Sequence, residues 1–359
     1  MKALIAAGGR ATRLRPITQT INKHLIPLAN KPMIVYPIEK VVEAGVKDII
    51  INVNPGDQEI AKFVGDGSRW GATIKCVEQE GGPQGLAHIV KNAEPYLGNE
   101  PFIFYLGDNI VLGSIKPLAE KFQQENLDML LTFAKVKEPQ RFGVAEIING
   151  KLTRIVEKPE NPPTNLAQTG IYFYSPKIFE AVKNIAPSAR GEYEISDANT
   201  YMIEKGYRVN WIETQGWWKD TGKPEDLLEG NQLLLSEKAA REESYNLGEI
   251  ENGALVQGKV WIGKGTQLKG RVLIRGPVII GENCIIQDSY IGPYTSVGNE
   301  VEIYKAEIEH SVVFDYVDIN CQVRIVDSLL GHNASITSAH ETWPLGHKLI
   351  IGDNTVIEL

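Results

Sequence analysis

The sequence predicts an α/β protein: a largely parallel sheet covered on both faces, followed by a second domain that coils as a parallel β-helix. Three observations predict it. Short apolar runs alternate with helical patterns up to about residue 240, and that alternation builds parallel sheets. Beyond that point helical periodicity stops and aliphatic residues recur every six positions at Ile279, Ile285, Ile291, Val297 and Ile303. Lastly, the first apolar run empties into glycines, and sheets of this kind place ligands at the carboxyl ends of their strands.

The elements follow in order. Lys2–Ala7 reads as a strand entering the glycine turn. Ile34, Ile38, Val41 and Val42 give helical spacing over 34–44, with Pro32 near its start. Asp48–Asn52 is a strand, 58–64 a helix, Thr73–Glu78 a strand and 85–93 a helix. Phe102–Leu106 is a buried strand ending at Gly107-Asp108-Asn109, and Met129–Lys135 and Ile171–Tyr174 are further strands. A helix over 223–240 closes this part, and the polar stretch 241–253 lies where a connector belongs. The tail, 254–359, carries aliphatic–Gly pairs at Ile262-Gly263, Ile280-Gly281, Ile291-Gly292, Val297-Gly298, Leu330-Gly331 and Ile351-Gly352. A six-residue aliphatic repeat is the mark of a β-helix, in which each short strand turns one aliphatic side chain inward and stacked coils bury a column. The hexapeptide kind coils left-handed, against the usual crossover rule. The expected organisation is therefore 1–240, a connector over 241–253, and a β-helix over 254–359.

Composition narrows the function. The 359 residues hold 37 basic and 45 acidic side chains, a net charge of −8, with ordinary apolar content. An acidic chain is a poor partner for nucleic acid or anionic membrane, though a local basic site still suits small anions. No apolar run is long enough to span a bilayer. The first residues read as a strand rather than a leader. Three scattered cysteines, Cys76, Cys284 and Cys321, form neither a disulfide framework nor a zinc pattern. A reducing, cytoplasmic setting is expected.

The chemistry concentrates in Gly8-Gly9-Arg10-Ala11-Thr12-Arg13-Leu14-Arg15-Pro16, followed by Lys23-His24. A strand that enters a glycine turn lets backbone N–H groups approach phosphate oxygens closely. Neither the Walker pattern nor the dinucleotide fingerprint is present. Asp108 ends an apolar strand, and Asp220 lies in Trp-Lys-Asp-Thr-Gly. Two carboxylates from distant segments suit Mg²⁺, a hard ion that keeps waters and bridges phosphates. Alone, Asp108 reads equally as a turn former and Asp220 as a helix cap.

Taken together, GGRATRLRPIT…KHLIPLANKPMI resembles the signature of the sugar nucleotidylyltransferases. GLAHIV, LGDNI, FGVAEI, VEKP, TGIYFY, RGEYEISD and WWKDTGKPEDL follow in the family's order. The likeness covers about residues 1–240. With the hexapeptide tail, the whole chain resembles the long-form thymidylyltransferases of that family. The resemblance implies a nucleotide-diphospho-sugar transferase fold, a Rossmann-like mixed and mostly parallel sheet, joined to a left-handed β-helix. It also implies a reaction in which glucose 1-phosphate attacks the α-phosphorus of dTTP, pyrophosphate leaves and Mg²⁺ assists.

On that resemblance, Ala7, Gly8, Gly9, Ala11, Thr12, Arg13, Gln79 and Gly85 bind the nucleotide. Arg13 steadies the triphosphate, Lys23 contacts the reacting phosphates, and Asp108 and Asp220 hold the metal. Lys158 and Arg190 grip the sugar phosphate, while Gly143, Glu157, Tyr172 and Trp218 lie at the sugar. Arg13, Lys23, Asp108, Lys158 and Asp220 are the expected catalytic set.

Two departures stand out. Gln79 precedes Gly85 by six steps where the family has five, with Glu80-Gly81-Gly82 between, so the choice between dTTP and UTP stays open. Ala11 stands where many relatives have Gly, and Ala tolerates positive φ less well, so a reshaped loop is expected. His24 and His88 are read as packing or supporting residues. The tail reads as structure for a homo-oligomer. Its histidines, His310, His332, His340 and His347, also admit an acetyl transfer of the kind bifunctional uridylyltransferases perform. A non-catalytic nucleotide-sugar sensor would be expected to lose the phosphate and metal residues, which this chain keeps.

Overall fold

The computed structural model describes residues 1–9, 11–214, 218–338 and 353–358. Arg10, Trp217, His340, His347 and the pair Ile351-Gly352 lie outside the described residues. The chain divides into two compact units, 1–10 with 34–220, and 11–33 with 221–359.

The first unit holds a nine-stranded mixed sheet and a separate two-stranded ladder. Its strands are β1 (Lys2–Ala6), β2 (Asp48–Val53), β3 (Thr73–Glu78), β4 (Phe102–Leu106), β5 (Asn109–Val111), β6 (Met129–Lys135), β7 (Gly143–Ile148), β8 (Lys151–Glu157), β9 (Leu166–Tyr174), β10 (Val209–Glu213) and β11 (Trp218–Asp220). The main order is β8-β7-β9-β4-β1-β2-β3, with β6 paired to β9 and β10. Strands β4, β1, β2 and β3 run parallel, whereas β9 is antiparallel to β4, β6 and β7. The strands buried on both faces read as continuous apolar runs: Ala3-Leu4-Ile5 in β1 and Phe102-Ile103-Phe104 in β4 are fully buried.

Helices α1 (Val35–Glu43), α2 (Glu59–Val64), α3 (Leu86–Leu97), α4 (Lys116–Gln124), α5 (Ile178–Asn184) and α6 (Ile195–Glu204) belong to this unit. One face of the core holds a run of stacked rings. Phe104 stacks on Tyr172 at 5.6 Å, Tyr172 on Tyr174 at 5.9 Å, and Phe102 lies 5.8 Å from Phe179. Such pairs add about 0.5–1.5 kcal/mol each beyond burial, which fixes β9 against β4.

The second unit contains α7 (Pro224–Arg241) and three parallel sheets of short strands, the left-handed β-helix. The coils are not uniform. Val260 pairs with Val278 and Gln267 with Ile285, so the first coils hold three full hexapeptides. Val278 pairs with Thr295, one position short of that length, and Glu302 with Asp318, two positions short. The expected register is corrected accordingly. Ile280, Ile286, Ile291, Val297 and Ile303 line the interior. Ile279 instead faces outward and packs with Leu235 and Trp261. The six-step count from Ile279 and Ile285 is one position out because the coil shortens just before Ile291. The ladder also begins earlier than expected, at Tyr245-Asn246 and Glu249-Ile250, inside the polar stretch read as connector.

The coil corners explain three of the aliphatic–Gly pairs; Gly331, by contrast, has open space around it. A methyl on Gly263 would lie 2.4 Å from Gly281 O, and one on Gly281 2.4 Å from Gly298 O. One on Gly298 would meet Asp315 Oδ1, also at 2.4 Å. Consecutive coils are stacked too closely there for any side chain.

Within the same unit, Asn231 of α7 ties three segments. Its Oδ1 accepts from Ala29 N–H at 2.8 Å and from Ser296 Oγ at 2.7 Å, and its Nδ2 donates to Tyr294 O at 2.9 Å. Residues 11–33 therefore cluster with the β-helix, although they follow β1 in sequence.

Candidate active site

The glycine turn leaves β1 between β2 and β4, as the strand order requires. Ala7 N–H continues the ladder to Asn52 O, and Gly9 is held by Asn54 from both sides. Gly9 N–H donates to Asn54 Oδ1 at 2.9 Å, and Asn54 Nδ2 donates to Gly9 O at 3.0 Å. Gly9 has φ +111°, open to glycine alone at no cost, so the turn is preset before anything binds.

Asp108 and Asp220 come from distant segments, and a short ladder aligns them. Strand β5 pairs antiparallel with β11, and Asp220 faces Asn109 in register, next to Asp108 in the chain. Asn109, only 2% exposed, organises the corner. Its Nδ2 donates to Asp108 Oδ1 at 2.8 Å, while its Oδ1 accepts from Trp218 Nε1 at 2.5 Å and from Gly170 N–H at 3.2 Å. A methyl on Gly170 would lie 2.6 Å from Asn109 Cγ, so glycine there is what admits the amide. The sequence reading treated Asn109 only as a turn residue. No local pattern marks a residue whose partners lie 61 and 109 positions away.

A second cluster gathers around Glu157, which faces Gly143 in register on the β7–β8 hairpin. Ser196 Oγ donates to Glu157 Oε2 at 2.6 Å. Arg190 reaches Glu157 at 3.4 Å and Glu194 at 3.2 Å, and Lys158 Nζ lies 3.5 Å from Glu157. Burial raises the carboxyl pKa of Glu194 and Asp197, and the charge of Glu157 adds to both. Lys158 takes a left-handed backbone, φ +42°, anchored by its N–H to Phe142 O at 2.9 Å. A non-glycine residue in that conformation costs roughly 1–3 kcal/mol and persists only when its surroundings hold it.

Tyr172 links the two clusters. Its ring is core, 3% exposed, and burial raises the phenol pKa, with Glu157 and, further down the order, Asp108 adding to it. The hydroxyl therefore stays protonated and feels both carboxylates.

Gln79 follows β3 and is buried. Its Nε2 lies 3.0 Å from His88 Nδ1. The extra residue before Gly85 is absorbed by a turn in which Gly82 N–H donates to Gln79 O at 3.0 Å. His88 stands near the start of α3 and lies parallel to Tyr193 at 6.1 Å. Burial, then Lys91, lowers its pKa. The unfolded chain therefore takes up a proton near pH 6.5 that the folded chain refuses, so stability falls as the pH drops through that value. His88→Gln is expected to flatten this acid limb, read as urea midpoints of the two proteins at pH 7.5 and 5.5. An unchanged slope would show that His88 does not carry it.

The remaining expected residues belong to the other unit. Ala11 caps the short 3-10 turn Thr12–Leu14, and it adopts the left-handed conformation itself, φ 44° and ψ 39°. Arg13 is exposed on that turn, and Lys23 opens a second one, Lys23–Leu25, capped by Asn22. In the tail, His310 is engaged by Asp327 at 2.5 Å and Gln232 at 3.2 Å, and His332 packs edge-on to Phe314 at 5.1 Å. Among the described residues no helix is long and apolar enough to cross a membrane. Nor is there among them a group of three or more His, Cys, Asp or Glu able to hold a metal. The carboxylates of Asp108 and Asp220 are hard oxygen donors, a type that suits Mg²⁺.

A mixed sheet with a preset glycine turn and paired acidic strand ends defines a nucleotide-handling transferase. The chain belongs to the nucleotidyl transferase family, whose model matches residues 2–237, and within it to the sugar-1-phosphate nucleotidyltransferases. It is 41% identical over 362 residues to the low-salt glycan biosynthesis nucleotidyltransferase Agl11 of Haloferax volcanii, each chain being covered completely. It is 40% identical over 363 residues to the glucose-1-phosphate thymidylyltransferase of Streptomyces antibioticus, covering 100% of this chain and 99% of that one. Among solved structures, a Bacillus anthracis chain assigned as a glucose-1-phosphate thymidylyltransferase, crystallised with sucrose, superposes with a TM-score of 0.62. That match has 37% identity and covers 65% of this chain and 94% of the other.

Proposed function

We propose that the protein makes dTDP-glucose and pyrophosphate from dTTP and glucose 1-phosphate. The observation that carries this reading is the end-to-end likeness to the Streptomyces thymidylyltransferase, tail included. In this reading residues 1–240 form the catalytic domain, and the β-helix, whose ladder begins at Tyr245, serves assembly of a cytoplasmic homo-oligomer.

The chemistry asks for charge neutralisation and positioning rather than a covalent intermediate. A sugar-phosphate oxygen attacks the α-phosphorus, and the bond to the leaving pyrophosphate breaks. The backbone N–H of Gly8 approaches the nucleotide phosphates on the turn that Asn54 holds through Gly9, flanked by Ala7, Ala11 and Thr12. Arg13 neutralises the leaving pyrophosphate with a planar fork that matches phosphate oxygens, and Lys23 meets the reacting phosphates. Lys158 and Arg190 hold the sugar phosphate. Glu157 and Tyr172 accept and donate to sugar hydroxyls beside Gly143 and Trp218. Asp108 and Asp220 would hold Mg²⁺, which supplies Lewis-acid stabilisation of the phosphate charge. The Gln79 amide, beside Gly85, reads the pyrimidine edge.

UTP in place of dTTP is the competing reading, because an amide at Gln79 suits either pyrimidine and a methyl group adds only modest discrimination. Pyrophosphate release, measured across five nucleoside triphosphates with glucose 1-phosphate and with hexosamine 1-phosphates, tests both. Preference for dTTP with glucose 1-phosphate is expected. Preference for UTP with N-acetylglucosamine 1-phosphate would replace this reading and direct attention to acetyl transfer in the tail. No turnover from folded protein would leave the regulatory reading.

A further inference from the structure

Gln79 follows β3 directly, and its backbone is pinned on both sides. Its N–H donates to Val53 O at 3.0 Å, and its carbonyl accepts from Gly82 N–H at 3.0 Å. Only the side chain is left to turn. A primary amide can point in two senses that differ by the exchange of an oxygen for an NH₂ group. For a residue that reads a base, the exchange swaps an acceptor for a donor.

His88 chooses between the two senses. Its Nδ1 lies 3.0 Å from Gln79 Nε2. An amide NH₂ only donates, so the ring nitrogen facing it has to accept, and only a neutral imidazole has a nitrogen that accepts. The surroundings keep the ring neutral. Burial disfavours the cation most, and Lys91 on the same helix adds to that. His88 is also the third residue of α3, where the helix dipole opposes positive charge. Tyr193, the titratable group packed against the ring from the chain before α6, lies parallel to it at 6.1 Å.

Gln79 Oε1 is the atom left over. Among the described residues it meets no donor, and it is not one of the polar atoms fully shut away from solvent. The residue as a whole is only 2% exposed. A base edge reaching this oxygen therefore meets it largely out of water, where facing acceptors are costly.

We propose that His88 fixes the Gln79 amide with its oxygen toward the base, and so makes the site select pyrimidines that carry an N3–H. Uracil and thymine donate from N3, whereas cytosine accepts there, and the same placement sets two acceptors against each other. This rests on the proposed function and deepens it. His88 acts through Gln79, so it is a positioning residue. The selection ignores the methyl group and holds for dTTP and UTP alike.

The test is the ratio of kcat/KM for dTTP to that for CTP, with UTP alongside and glucose 1-phosphate as the second substrate. In the wild type both dTTP and UTP should exceed CTP by a factor on the order of 10² or more at pH 7.5. His88→Leu removes the acceptor and should lower the ratio by about tenfold or more, with the KM for glucose 1-phosphate unchanged. His88→Gln keeps a hydrogen bond to Gln79 in either sense of the two amides. A merely structural histidine would be replaced there without loss of discrimination, whereas the ratio should fall in this variant too. It decides the matter if the leucine variant does not fold. The wild-type ratio should also fall between pH 7.5 and 5.0, because an imidazolium donates from both nitrogens and turns the amide over. Both variants should be flat over that range. Protonation of the sugar phosphate acts on each assay alike and cancels in the ratio.

An unchanged ratio in both variants would overturn the inference and leave the proposed function standing. So would an equal loss with every nucleotide, or a wild-type ratio indifferent to pH. If the wild type turned over no substrate pair, the proposed function would fail separately. Calorimetric titration of dTTP and CTP into the wild type and His88→Gln would then decide the inference. Tighter dTTP in the wild type, with the two affinities converging in the variant, supports it. A difference that persists in the variant, or none in the wild type, refutes it.

Discussion

Asp108→Asn and Asp220→Asn are each expected to lower kcat by a factor on the order of 10³, with the folded state intact. The two residues stand on paired strand ends, Asp220 facing Asn109 and Asp108 preceding it. Asparagine keeps the shape and the hydrogen-bonding capacity of one oxygen, so the β5–β11 ladder survives. What changes is charge. A site of two carboxylates that loses one binds a hard divalent ion poorly, and the phosphate charge then lacks its counterweight. Added Mg²⁺ should restore part of the activity of each single variant and little of the double variant. Circular dichroism and melting curves close to wild type would separate lost chemistry from lost structure. Near-normal kcat in both variants would sink the metal assignment.

Gly85→Ala is expected to destabilise the protein by roughly 3 kcal/mol or more and to abolish turnover with it. Gly85 precedes α3 with φ 100° and ψ 169°, a region essentially closed to residues with a Cβ. The added methyl would lie 2.5 Å from Tyr193 O and 2.8 Å from Tyr193 N, both backbone atoms. Those atoms are already committed. Tyr193 N–H donates to Gln84 O at 2.8 Å, and Tyr193 O accepts from Ala87 N–H at 3.1 Å. Relief of the clash would break the stitch that seats the start of α3, and His88 would carry Gln79 with it. Gly98, at the other end of the same helix, provides the control. It also has positive φ, yet a methyl there meets nothing within 4 Å. Gly98→Ala carries a conformational cost alone, since φ 62° and ψ −137° also favour glycine, so Gly85→Ala should melt lower by the added clash. Equal melting points for the two variants would refute the steric argument.

Much of this was legible in the residues because the signals are local. The strands Phe102–Leu106 and Thr73–Glu78 match their apolar runs at both ends, and α7 lies within a residue of expectation. The register of the β-helix was legible only in part. A six-step count cannot follow a coil that loses a position from one turn to the next, because the loss falls between the inward-facing aliphatic residues that the count relies on. Residue types at the site could be matched to chemistry, but not their supports. Asn109 looks like an ordinary polar residue in an apolar strand until Gly170 is seen to leave space for its amide. Likewise, the grouping of 11–33 with the β-helix depends on Asn231, a helix residue 202 positions from Ala29.

The glycine staircase of the β-helix has a consequence for how such a tail changes length. Gly263, Gly281 and Gly298 each touch the backbone of the coil above, and each strand alternates inward and outward side chains. A single deletion within a strand would turn the aliphatic column inside out from that point on. Gain or loss of a whole coil disturbs nothing but the end it moves. The length of this domain is therefore quantised: descendants of such a sequence should differ by one rung or several, seldom by a fraction of one.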